Sequence, residues 1–203
     1  MIKNMLVALL ILFISFVHGQ ENYIVIINND SIKAKLNSEI QYKVSSRKDL
    51  TIKIVQPDIL TYSDDMISFS YDKSLSVSNS KIDENIEQCM IIKSTGNGFM
   101  VQKYHTINPT NLTQLMLQEI IKESISYGYT KVEETFKKKL KSGQTIEGIQ
   151  ATLTYNGEKE IYTVATFGEK DKGIIVVTMF LNEAYIDDKE IIDLFLKTLE
   201  IKK

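Results

Sequence analysis

IEGIQATLTY-NG-EKEIYTVATF-GEKDK-GIIVVTMF occupies residues 146–180 of the chain. Its middle pair, Asn156-Gly157, is a strong short hairpin signal, because both residues tolerate the positive φ that a two-residue turn requires. The flanking segments, 146–155 and 158–167, therefore pair as antiparallel strands. Residues 168–172 turn the chain again into 173–180, where almost every residue is apolar. A strand with no polar phase is central to its sheet and covered on both faces. One stretch thus predicts an antiparallel sheet with material packed above and below it.

The covering layers can be read on either side. Downstream, a helix starts at Asp187 with Glu190 completing Asp-x-x-Glu, and it buries Ile191, Ile192, Phe195 and Leu199. Upstream, Val132, Phe136 and Leu140 belong to a further strand, and Lys137-Lys138-Lys139 marks it as a solvated edge. Before that lies a second helix. Pro109 precedes it, Asn111 and Gln114 have capping-box spacing, and Leu112, Leu115, Met116, Leu117, Ile120, Ile121 and Ile125 recur at helical spacing. Gly128 closes it.

Further upstream, residues 86–93 and 99–105 form a hairpin across Ser94-Thr95-Gly96-Asn97-Gly98, and 66–71 and 75–77 are strand candidates. Residues 23–55 read as β structure. Ile32, Ala34 and Leu36, then Ile40, Tyr42 and Val44, then Leu50, Ile52 and Ile54 each alternate with polar neighbours. Turns at 37–39 and 45–49 make this a small meander, and Gln56-Pro57-Asp58 bounds it. The predicted fold class is α+β: an antiparallel β-sheet with two main helices packed on it, preceded by a small N-terminal β-meander. The division is a leader over 1–19, the meander over 20–57 and an α+β domain over 58–203.

The leader is read from Met1-Ile2-Lys3-Asn4, an apolar run from Met5 to Val17 broken only by Ser15, and His18-Gly19-Gln20. A basic start, an apolar run of about a dozen residues and a small residue at its end are the parts of a secretory signal. The run is shorter than the roughly 20 apolar residues that cross a bilayer in a helix. Cleavage is expected between Gly19 and Gln20. The alternative, a retained membrane anchor, conflicts with that length. No Cys follows the run to carry a lipid, so the expected location is periplasmic or secreted, with no permanent membrane anchor after signal cleavage.

Composition narrows the function. The chain has 26 acidic against 24 basic residues, and one of the basic ones, Lys3, lies in the leader. A slight acidic excess argues against nucleic acid, which rewards basic stripes. One cysteine, Cys89, excludes an internal disulfide, and within Cys89-Met90-Ile91-Ile92 it reads as a buried thiol. Abundant Ile, Lys and Asn with no Trp point to an envelope protein of an AT-rich bacterium.

The order of these segments resembles the PsbP-like superfamily, in its DcrB-like bacterial envelope branch. Strands open at residues 66–77, a helix at 111–127 precedes a strand, and a hairpin spans 150–167. The strand "GIIVVTMF" and the closing helix "IIDLFLKTLEI" then complete the series. The resemblance covers roughly residues 60–203 and implies an α/β/α sandwich in a largely non-enzymatic envelope or lumenal protein. Some plant members bind metal through His and acidic side chains. No His here matches such a position, so no metal site is carried over.

No catalytic constellation emerges. Outside the leader His105 is the sole histidine, no Ser sits in a Gly-x-Ser-x-Gly elbow, and a zinc site needs more His or Cys than the chain has. Asp64-Asp65, Asp83-Glu84 and Asp187-Asp188 are pairs, too few for a calcium loop. Gly96-x-Gly98 has no helix after it to make a phosphate cradle. Catalytic, cofactor and metal residues are therefore expected to be none. The candidate interaction surface is Tyr127-Gly128-Tyr129 at the helix exit, since Tyr offers apolar area with a polar tip. The function expected is a non-catalytic binding or interaction module of the cell envelope. Its partner is an envelope protein, or a small apolar ligand held between helix and sheet. The alternatives are a carboxylate-based hydrolase acting outside the cytoplasm and an assembly subunit using the N-terminal β region.

Overall fold

The computed structural model describes residues 22–35, 40, 52–181 and 183–202. The leader, its cleavage point at Gly19 and Gln20, and the strand expected around Tyr42 and Val44 lie outside the described residues. Three strands come first: β1 (Asn22–Ile27), β2 (Asp30–Lys35) and β3 (Ile52–Val55). They form an antiparallel sheet in the order β2-β1-β3, so β1 is in the middle. The turn between β1 and β2 is Asn28-Asn29, with Asn28 at a φ of 55°. Register puts Val25, Ile32 and Ile54 on one face, where Ile54 stays 66% exposed.

The next two strands, β4 (Ile59–Ser63) and β5 (Ile67–Asp72), pair antiparallel and alternate buried with part-exposed residues. The expected strand at 75–77 does not form. Ser74 donates its backbone N–H and its hydroxyl to Asp72, which turns the chain at the end of β5, and the partner of β5 is β4 instead. A third strand, named below, joins them from the C-terminus.

The main sheet follows. Its strands are β6 (Ser78–Lys81), β7 (Ile86–Ile92), β8 (Gly98–Tyr104), β9 (Thr130–Lys139), β10 (Thr145–Tyr155), β11 (Glu158–Glu169) and β12 (Lys172–Phe180). All neighbours are antiparallel, in the order β6-β7-β8-β12-β11-β10-β9. The apolar strand β12 is the fourth of seven, as expected of a strand buried on both sides. Asn156 and Gly157 have φ of 49° and 88° and close the β10–β11 hairpin as the dipeptide predicts. The lysine-bearing β9 is the sheet's edge.

Between β8 and β9 the chain crosses one face of the sheet as helix α1 (Thr113–Tyr127). A short 3-10 turn, Pro109–Leu112, leads into it, and its cap is Asn108, not Asn111. Asn108 Oδ1 accepts the Thr110 N–H at 3.0 Å. Pro109 has no N–H to satisfy and its φ is preset for a first helical position, so the capping role falls to the residue just before it. Gly128 ends α1 at a φ of 112°, a backbone state that other residues resist.

The opposite face is covered by helix α2 (Lys189–Thr198) and by the small sheet β13-β5-β4, in which β13 is Glu200–Ile201. Two cores result. On the α1 side Leu117 and Ile121 meet Leu153, Val164, Ile175 and Val177. On the other side three layers meet at three phenylalanines: Phe69 from β5, Phe99 from β8 and Phe195 from α2. Phe99 and Phe195 stack at 3.7 Å and 9°, and Phe69 stands edge-on to both at 5.2 Å. The chain is α+β, an antiparallel sheet between two layers.

Candidate functional site

Strand phase first explains a buried charge. In β8 the residues Phe99, Val101 and Lys103 point to one face, so Lys103 enters the core in an apolar position. Cross-strand register places Glu87 beside it on β7 and Lys81 beyond on β6. Lys103 is 3% exposed. Its Nζ donates to Asp64 Oδ2 at 2.7 Å and to Glu87 Oε2 at 2.8 Å. Asp64 also accepts the backbone N–H groups of Met66 and Ile67 at 2.9 Å each. Tyr62 donates to Asp64 or Asn79 at 2.9 and 2.8 Å.

The electrostatics of this cluster agree with its geometry. Burial pushes the Asp64 carboxyl up, but the Lys103 and backbone hydrogen bonds outweigh it and hold the group below the usual carboxylate range. The Lys103 hydrogen bond does the same to Glu87. Burial acts to lower Lys103, yet Asp64 and Glu87 together raise it above its ordinary value. Burial lifts the neighbouring Cys89 thiol to about 12, which leaves it protonated and inert. Every charge here is held in its ionised form by another.

A second buried carboxylate ties α2 to the β7–β8 hairpin. Asp188 is 3% exposed and accepts from Lys93 Nζ at 2.5 Å, Thr95 Oγ1 at 2.8 Å and Asn97 Nδ2 at 3.1 Å. Asn97 Oδ1 in turn accepts the Leu181 N–H at 2.7 Å. This corrects the expected helix start. The residue before α2 is Asp188, and its carboxylate makes no cap bond because three donors draw it inward. In the hairpin, Gly96 and Gly98 both have positive φ, while Asn97 is wholly buried as a bridge between elements.

Beside Asp188 a cleft of about 400 Å³ opens between α2 and the small sheet. Ile59, Tyr71, Leu75, Ile191 and Leu194 line it together with Asp72, Ser74, Lys93, Asp187, Asp188 and Glu190. Leu75, Ile191 and Leu194 are half-buried and Ile59 is 47% exposed, so apolar surface remains accessible inside. A more open groove of about 620 Å³ lies at the start of α1, lined by Thr110, Thr113, Thr145, Thr166 and Glu147 with Ile149 and Phe167. Thr166 already bonds Thr113 at 3.2 Å.

The tyrosines predicted at the helix exit do come together, and a third joins them. Tyr127 is 71% exposed. Its ring centroid lies 5.2 Å from that of Tyr155 and 6.3 Å from that of Tyr129, and Tyr129 and Tyr155 are 5.3 Å apart. His105, just past β8, has its Nε2 at 3.8 Å from Glu87 Oε2 and in no hydrogen bond among the described residues. The three acidic pairs stay apart. Asp64 and Asp188 are engaged as above, and Asp83 accepts the Asn85 N–H at 2.7 Å. Among the described residues no group of three His, Cys, Asp or Glu side chains is gathered to hold a metal ion, and no helix is long and apolar enough to cross a membrane.

No protein-family model matches the chain, and no curated protein matches it. The solution structure of cyanobacterial PsbP (CyanoP) from Synechocystis sp. PCC 6803 is similar to it with a TM-score of 0.46 and 12% identity, over 71% of this chain and 93% of that one. The α+β description rests on this chain's own strand order and packing.

Proposed function

We propose that the protein is an exported, non-catalytic binding module of the bacterial envelope, periplasmic or secreted, which holds a small apolar group in the cleft between α2 and the small sheet. The PsbP-like, DcrB-like resemblance belongs to the same proposal. The cleft carries it: about 400 Å³ of space with accessible Ile59, Leu75, Ile191 and Leu194. Small-molecule sites typically span about 300–1,000 Å³ and are mostly apolar with a few polar groups at the edge. The group bound is a free small molecule or a side chain of an envelope protein.

The carboxylate chemistry supports binding over hydrolysis. A two-carboxylate hydrolase needs one carboxyl held protonated as the acid. Asp64 and Glu87 are both held ionised by one ammonium. Replacing His105 by Ala is expected to leave binding unchanged.

The neutral dye N-phenyl-1-naphthylamine tests the cleft. Its fluorescence should rise on binding the chain, and Leu194→Glu, a half-buried position, should weaken it at least about five-fold, since a buried unpaired charge is strongly disfavoured. Native co-purification from the envelope fraction then separates a protein partner from a free ligand. No fluorescence gain, or a gain indifferent to Leu194→Glu, would overturn the reading.

A further inference from the structure

The end of α1 lies far from the cleft in sequence, and its chemistry is different. Strand phase places Tyr155 and Glu158 as direct cross-strand partners, with Glu160 two residues on and on the same face, under α1. Tyr129 donates to Glu158 Oε2 at 3.4 Å, and Ser124 of α1 donates to Glu160 Oε2 at 2.7 Å. These bonds fix both carboxylates beside the three tyrosine rings.

Neither Glu158 nor Glu160 has a cationic partner among the described residues. Lys131 pairs with Glu133 at 2.5 Å and Lys122 with Glu119 at 3.8 Å, and Lys159, between the two glutamates in sequence, falls on the opposite face of β11 by strand alternation. The last turn of α1 holds no basic residue, so the negative end of its dipole is also unanswered. Burial and then Glu160 and Glu158 push the Tyr129 phenol above its ordinary range, as a locally negative field should. Meanwhile the Tyr127 ring is 71% exposed.

A flat aromatic face next to unpaired carboxylates is complementary to a guanidinium, which stacks on the ring and bonds carboxylate oxygens with a planar fork. We propose that Tyr127, Tyr155, Glu158 and Glu160 form a docking surface for an arginine side chain of a protein partner. The surface is independent of the apolar cleft, and either could fail without the other.

The probe is the peptide acetyl-Gly-Arg-Gly-Arg-Gly-amide, titrated into the isotope-labelled full chain while the tyrosine ring resonances are followed. Its control carries citrulline for arginine, which keeps the shape and removes the charge. The arginine peptide should shift the rings of Tyr127, Tyr129 and Tyr155, and the citrulline peptide should not. Tyr127→Leu keeps apolar area but removes the π face. It should weaken binding about two- to five-fold, and Glu158→Gln should act in the same direction. Unchanged amide dispersion elsewhere establishes that both variants are folded. Equal response to the two peptides, response to neither, or full affinity in Tyr127→Leu would overturn the proposal.

Discussion

Two groups of carboxylates sit in the same domain and are treated in opposite ways. Asp64 and Glu87 close around Lys103, which is 3% exposed, and backbone N–H groups complete the Asp64 shell. Glu158 and Glu160 accept only hydroxyl groups and meet no cation among the described residues. The Lys103 ammonium is almost wholly removed from water and Asp64 mostly so, while Glu87 keeps 43% of its side chain exposed, so the buried ammonium must be answered by its carboxylates. The second remains in contact with solvent, which answers its charge at little cost. The first therefore bears on stability, and the second is available to a partner.

The largest effect should come from opening the closed group. Lys103→Met leaves the half-buried Asp64 without its cation and should cost about 3 kcal/mol of unfolding free energy, measured by urea titration. A loss under about 1 kcal/mol would mean that the cluster relaxes freely and the contrast is false. The pH dependence should follow the same cluster. Asp64, Glu87 and Asp188 are held below their ordinary values of 3.8, 4.5 and 3.8. A lowered carboxyl contributes stability above its unfolded value and loses it as pH falls through its folded value. Stability should hold down to about pH 4.5 and then fall, less steeply in Lys103→Met. The smallest effect belongs to the open group. Glu158→Gln should change stability by no more than about 0.5 kcal/mol, as exposed substitutions usually do.

Much of this architecture was legible in the sequence. The unbroken apolar phase of 173–180 marked the sheet's centre, and Asn156-Gly157 marked its best hairpin, because both signals are local. The small sheet was not legible. β13 is two residues long, and β4 pairs with β5 through a turn closed by Asp64, which accepts the Met66 and Ile67 N–H groups. Lys103 did leave a signal: it falls in phase with Phe99 and Val101, and a lysine at a core position demands buried carboxylates. Which carboxylates answer it depends on contacts 16 and 39 residues away, beyond any local pattern. Asp188 is similar, since its donors Lys93, Thr95 and Asn97 come from a distant hairpin. The tyrosine pair at the helix exit was readable from Tyr127-Gly128-Tyr129, whereas Tyr155 joined it through strand register.

The central claim is that the α2 cleft is where the protein holds a small apolar group. Native mass spectrometry of the chain and of Leu194→Glu, each recovered from the envelope fraction, tests it most directly. A bound mass is expected on the chain, lost in Leu194→Glu and retained in His105→Ala. A bound mass retained in Leu194→Glu and lost in His105→Ala would contradict it.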